Sequence, residues 1–238
     1  MKKIKNAIPN TITCLNLFSG CIACVMAFEA RYESALLFIF LSAVFDFFDG
    51  LAARVLQAYS PLGKDLDSLA DTVSFGVAPS LIVFSALDEM NYPSHLSFAE
   101  PYFPYAAFLI SIFSALRLAK FNNDTRQTTS FIGLPTPANA LFWAAFVVGM
   151  QDCLHASYFH PCCMLILIGL SAWILVSEIP MFSLKFKSIS WRKNKVSGIF
   201  LLGCLPLLAF LGISGFAAVI VWYVILSLIT RKNTENHS

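Results

Sequence analysis

The sequence predicts an all-α fold: a polytopic transmembrane helical bundle of about eight spans with both termini cytoplasmic. Three observations carry that prediction. Of the 238 residues, 58% are hydrophobic and only 13% charged, about half the roughly 25% charge of soluble domains. Eight apolar stretches approach or exceed the length of about 20 residues that a membrane helix needs. The basic residues, finally, fall almost entirely to one side of those stretches. Composition also excludes the other classes. A mean hydropathy of +0.71 and 23 Phe exceed what one soluble core hides. Disorder requires the reverse pattern, and a net charge of +2 predicts no nucleic-acid partner.

Taken in order, the stretches run over 11–29, 34–52, 66–87, 102–120, 136–151, 161–180, 197–212 and 215–230. The fifth is short, and the turn Gly212-Ile213-Ser214-Gly215 joins the last two. The first is no signal peptide, because Asn16 interrupts it, a clear cleavage site is lacking, and more spans follow. With the N-terminus inside, the cytoplasmic segments collect Lys2, Lys3, Lys5, Arg54, Lys64, Arg117, Lys120, Arg126, Lys185, Lys187, Arg192, Lys193, Lys195, Arg231 and Lys232. Only Arg31 remains outside, and loops 88–101 and 152–160 contain neither Lys nor Arg. The basic stretch Phe186 to Val196 around Trp191 has the make-up of an interfacial patch on anionic lipid, or of a topology anchor. The seven cysteines are expected as small packing residues: Cys21-x2-Cys24 has metal-like spacing but no second pair. The four histidines fall in outer loops and the tail.

Carboxylates within spans cost several kcal/mol each, so they are functional candidates. Asp46 and Asp49 are three apart at the end of the second span, and Asp67 and Asp71 are four apart at the start of the third. Each pair shares a helix face. The short link from Val55 to Leu62 makes the two helices antiparallel neighbours, bringing four carboxylates together. Four such charges in low dielectric need compensating cations or partial protonation. An oxygen-only donor set suits Mg²⁺ or Mn²⁺ rather than zinc, and such ions commonly bridge phosphates. Arg54 offers a guanidinium fork for a phosphate. Gly50, one turn after Asp46, lets a ligand approach the backbone. Asp65 points off the shared face and reads as a helix cap.

Asp46-x2-Asp49-Gly50-x2-Ala53-Arg54-x8-Gly63-x3-Asp67-x3-Asp71 resembles the signature of the CDP-alcohol phosphatidyltransferase family at all eight fixed positions. The resemblance implies an integral membrane enzyme that splits the pyrophosphate of a CDP-linked lipid and joins the phosphatidyl part to an alcohol, releasing CMP. It implies that Asp46, Asp49, Asp67 and Asp71 bind one or two divalent cations, with Asp71 also the general base. It further implies that Gly50, Ala53, Arg54 and Gly63 line the CDP pocket, and that the enzyme is a homodimer. A single domain over 1–238 is expected, with its catalytic motif over 46–71 and the last two spans, 197–230, accessory.

Four further blocks resemble the membrane-embedded phosphatidylserine synthase subgroup of that family. They are Ile8-Pro9-Asn10-x2-Thr13-x2-Asn16-Leu17-x2-Gly20, Val73-Ser74-Phe75-Gly76-Val77-Ala78-Pro79, Arg117-Leu118-Ala119-Lys120-Phe121-Asn122 and Phe131-x-Gly133-Leu134-Pro135-Thr136-Pro137-Ala138. Lys120 stands where Arg is more frequent, and Thr136 where Ser is common. The implied substrates are CDP-diacylglycerol and L-serine, among membrane lipids. Serine carries a carboxylate, so a cation is expected beside it; Arg117 and Lys120 are the candidates, with Arg126 behind them. Thr13, Asn16 and Ser74 are candidates for the CDP-lipid. The alternatives are an acceptor such as glycerol 3-phosphate or inositol phosphate, whose phosphate calls for a denser group of cations, and a cation transporter. Transporters usually place the ion at midplane between internal repeats, and no repeat is visible here.

Overall fold

The computed structural model describes residues 2–124, 131–154, 156, 159–182 and 195–235. Arg126 and residues 186–194 of the basic stretch lie outside the described residues. Eight apolar helices occupy the eight expected stretches: α1 (Lys2–Phe28), α2 (Tyr32–Leu56), α3 (Pro61–Asp88), α4 (Phe108–Asn123, led in by a 3₁₀ turn over Phe103–Ala107), α5 (Thr136–Gly149), α6 (Pro161–Val176), α7 (Lys195–Leu211) and α8 (Ser214–Glu235). Four segments are long and apolar enough to cross a membrane: Ala7–Phe28, Tyr32–Leu56, Pro61–Asp88 and Phe103–Asn123. The other four are shorter; the 14 residues of α5 rise only about 21 Å. This is a polytopic helical membrane protein.

The two boundaries that flank the link between α2 and α3 differ from the hydropathy reading, because both helices continue past their apolar part. The second stretch was expected to end at 52, yet α2 runs to Leu56 and stops where Gln57 adopts a left-handed conformation. The third was expected from 66, yet α3 starts at Pro61. Ser60 caps it, its Oγ accepting from the Gly63 N–H at 3.0 Å, and Pro61 at the first position lacks an N–H that would need a partner. The link therefore shrinks to residues 57–60.

Small residues set how closely the helices pack. Ala23, Ala27, Ala35, Ala78, Ala86, Ala140 and Ala144 are buried together around the larger Phe75, Ile82 and Trp143. A close crossing is that of Gly20 of α1 on Ser74 of α3: a Cβ at position 20 would overlap the Ser74 side chain and lie 2.8 Å from its Cα. Ser74 sits in a π-helical stretch of α3, Thr72–Val77. The only strands among the described residues, β1 (Phe131–Ile132) and β2 (Pro180–Met181), pair antiparallel. They tie the lead into α5 to the exit of α6. Gly133 beside them has φ of 75°, and a Cβ there would lie 3.1 Å from the Ser177 carbonyl, so this position demands glycine.

Candidate active site

The turn at 57–60 places the end of α2 beside the start of α3, with the N-terminal half of α1 across them. A cavity of about 480 Å³ opens there. Thr13, Asp49, Gly50, Ala53, Gly63 and Asp67 line it, as the sequence led us to expect, joined by Pro9, Asn10, Tyr59, Ser60 and Lys64. Oxygens of Asp46, Asp49 and Asp67 all lie within 4.8 Å of one another. The four-carboxylate group expected from spacing is thus a close triad plus Asp71. Asp71 is buried, accepts from Asn16 Nδ2 at 3.1 Å, and interacts electrostatically with the triad, Asp46 most strongly.

Among the described residues, little compensates the triad. The Thr13 hydroxyl lies 2.6 Å from Asp49 Oδ2 and donates to it. Asp67 Oδ1 is buried without a partner. Neither ion pair among the described residues, Arg31–Glu29 or Lys120–Glu178, touches these carboxylates. Uncompensated hard oxygen donors around one point, one of them orphaned, fit a divalent cation of the Mg²⁺ or Mn²⁺ kind.

The other expected residues divide. A Cβ at Gly50 would meet nothing within 4 Å, so the space beside it belongs to the cavity. A Cβ at Gly63 would crowd Asn10 Oδ1 and Ser60 Oγ, at 3.0 and 3.1 Å. Arg54 is exposed, and its Nε donates to the Gly50 carbonyl of its own helix at 2.9 Å; it is not among the lining residues. Ser74 also stays out of the cavity. Its hydroxyl donates to the Asn16 carbonyl at 3.1 Å, an oxygen that accepts from Ser42 as well. Asn16 Oδ1 is buried and unpartnered.

The two expected serine-side cations also separate. Arg117 is only 7% exposed, with Cζ 5.2 Å from the Phe121 ring centroid and Nε without a partner. It lies within electrostatic reach of Asp71 and of Tyr223 on α8. Lys120, one turn on, is exposed and pairs with Glu178 at 3.2 Å. Sequence reasoning assigned no role to Asn122, the last residue of the third block, which accepts from Lys64 Nζ at 2.9 Å through its carbonyl and donates to Ser68 Oγ at 2.7 Å. It also missed Tyr223, whose hydroxyl donates to the Phe182 carbonyl at 3.0 Å. Helical patterning alone gave neither away. On the outer face of α1 and α2, an apolar groove of about 610 Å³ runs between Ile8, Ile12, Leu15, Phe48, Leu51 and Val55. The same two helices therefore carry a polar cavity and a groove suited to hydrocarbon.

A family model described as CDP-alcohol phosphatidyltransferase matches residues 6–181. The chain is 42% identical over 133 residues to a CDP-diacylglycerol–serine O-phosphatidyltransferase of Bacillus subtilis, covering 56% of this chain and 70% of that protein. It is 34% identical over 172 residues to the protein of that name in Methanocaldococcus jannaschii, covering 72% of each. A Helicobacter pylori protein of the same name is 29% identical over 244 residues, covering 94% of this chain and 95% of the other.

Proposed function

The chain belongs to the CDP-alcohol phosphatidyltransferase family, and from that premise we propose that it transfers the phosphatidyl group of CDP-diacylglycerol to L-serine, giving phosphatidylserine and CMP. The observation that carries this reading is the triad of Asp46, Asp49 and Asp67, of which Asp49 and Asp67 line the 480 Å³ cavity, with Asp71 held beside it by Asn16. Relatives named for this reaction support the choice of serine.

Asp46, Asp49 and Asp67, with Asp71 beside them, would hold one or two divalent cations. When bound, such an ion neutralises charge on the pyrophosphate and on the departing CMP. The residues of the chain do the rest. Gly50, Ala53, Gly63 and Thr13 shape the wall on which CDP lies, and Arg54 serves the phosphates from the exposed rim. The groove on α1 and α2 takes the acyl chains. Asp71 accepts the proton of the serine hydroxyl as its oxygen attacks the phosphatidyl phosphorus; the pyrophosphate P–O bond breaks and CMP leaves with the electron pair. Asn16 holds the Asp71 carboxylate in one orientation. Arg117, buried within reach of Asp71, meets the serine carboxylate; Lys120, paired with Glu178, contributes at most from the edge. The site faces the cytoplasm of a bacterial inner membrane, where nucleotide and Mg²⁺ are found, and the working unit is a homodimer.

CMP release by purified protein with CDP-diacylglycerol and Mg²⁺ tests the reading. Serine, glycerol 3-phosphate, inositol phosphate or no acceptor would be supplied in turn. Release that depends on serine and metal is expected. Release with another alcohol instead would discard the serine pocket and keep the catalytic core.

A further inference from the structure

A second cavity, of about 390 Å³, lies between α5, α6 and α8, away from the carboxylates. Its walls are hydrocarbon and aromatic: Leu134, Phe142, Leu167, Ile179 and Val224 are among them. Its outer rim is formed by Leu170, Trp173, Val221 and Ile225, all exposed, so it opens sideways toward the bilayer. One polar chain reaches it. Trp143 Nε1 donates to Ser171 Oγ at 3.0 Å, and Ser171 donates to Asn139 Oδ1 at 2.6 Å. The tryptophan N–H engages the serine oxygen as an acceptor, so the serine proton goes to Asn139 and fixes the amide with its oxygen toward Ser171. Asn139 Nδ2 is then left without an acceptor, although the residue is fully buried and lines the cavity.

An amide N–H in hydrocarbon without a partner is costly. The occupant must therefore carry a hydrogen-bond acceptor, and the walls require the rest of it to be apolar. Depth narrows the choice. Asn139 lies one turn into α5, near the end of the molecule where Lys120 pairs with Glu178 and Leu134 meets Ile179. Ester carbonyls of phospholipids lie at such a level, just beneath the head groups. The volume suits one chain rather than a whole two-chain lipid.

We propose that this cavity is a second lipid site, taking one acyl chain of an ester-linked phospholipid whose carbonyl accepts from Asn139 Nδ2. The inference rests on membrane insertion alone and is independent of the chemistry at the carboxylates.

Native mass spectrometry of the full chain in detergent tests it, using a diester phospholipid and its dialkyl ether analogue with the same head group and chain length. One diester lipid should be retained per chain. The ether analogue should bind roughly fivefold more weakly, as expected for one lost hydrogen bond. Val221→Trp, which fills the rim, should reduce retention of both lipids by roughly tenfold or more. Equal retention of ester and ether lipids would overturn the proposal, as would wild-type retention in Val221→Trp. So would a photo-crosslinker at Leu170 that joins two chains instead of chain and lipid. Should Val221→Trp fail to fold, the ester–ether comparison on the unaltered chain still decides.

Discussion

Asp71 differs from its three neighbours in what holds it: an amide donor fixes it, whereas Asp67 keeps a buried, unpartnered oxygen. In the proposed reaction that difference separates proton transfer from metal binding. Asp71→Asn is expected to lower kcat by about 10²–10⁴-fold while CDP-diacylglycerol still binds, as measured by turnover alongside equilibrium binding. Gly50 permits a cleaner separation of site from fold. Since a Cβ there meets nothing, Gly50→Ala should leave the melting temperature unchanged and raise KM for the CDP-lipid; a lowered melting temperature would mean that the glycine serves the fold. Arg117→Lys retains charge but not the fork, and should raise KM for serine well beyond the effect of Lys120→Ala. The aspartate positions were legible in the sequence because intramembrane charge is so costly. The role of Ser74 was not. The sequence offers it as a candidate for the CDP-lipid, but its hydroxyl bonds the Asn16 backbone at a crossing that only tertiary packing creates.

Among the elements, α3 shows what hydropathy cannot read. Its apolar part was visible, yet its true start at Pro61 was encoded in Ser60-Pro61, a cap and first-turn pair within a polar stretch. The π-helical stretch Thr72–Val77 and the two-residue β pair leave no periodic trace long enough to detect. The α1–α3 crossing is the joint on which the site depends, since α1 brings Thr13 and Asn16 to carboxylates on α2 and α3. Gly20→Ala forces a Cβ against the Ser74 backbone and should destabilise the protein by about 1–3 kcal/mol. Thermal unfolding in detergent checks this, and activity should fall with the folded fraction rather than through KM.

For the whole molecule, the basic-residue asymmetry and the eight apolar helices among the described residues predict both termini on the side that carries the carboxylates. In sealed vesicles, tags at the N- and C-termini should be accessible from the same face as added CDP-diacylglycerol–serine activity; tags on opposite faces would refute the topology. The last helix carries no motif, yet it packs near the proposed serine side. Tyr223 of α8 lies within electrostatic reach of Arg117 and anchors Phe182, connecting an element without a signature to the proposed serine side. The proposed function requires that the carboxylates gathered by α2 and α3 hold a divalent cation. Counting Mn²⁺ bound to the purified chain by electron paramagnetic resonance, with CDP-diacylglycerol present, tests that claim most directly. The account predicts one or two ions per chain, abolished when Asp46, Asp49 and Asp67 are together changed to Asn. Unchanged Mn²⁺ binding in a folded triple variant would contradict it.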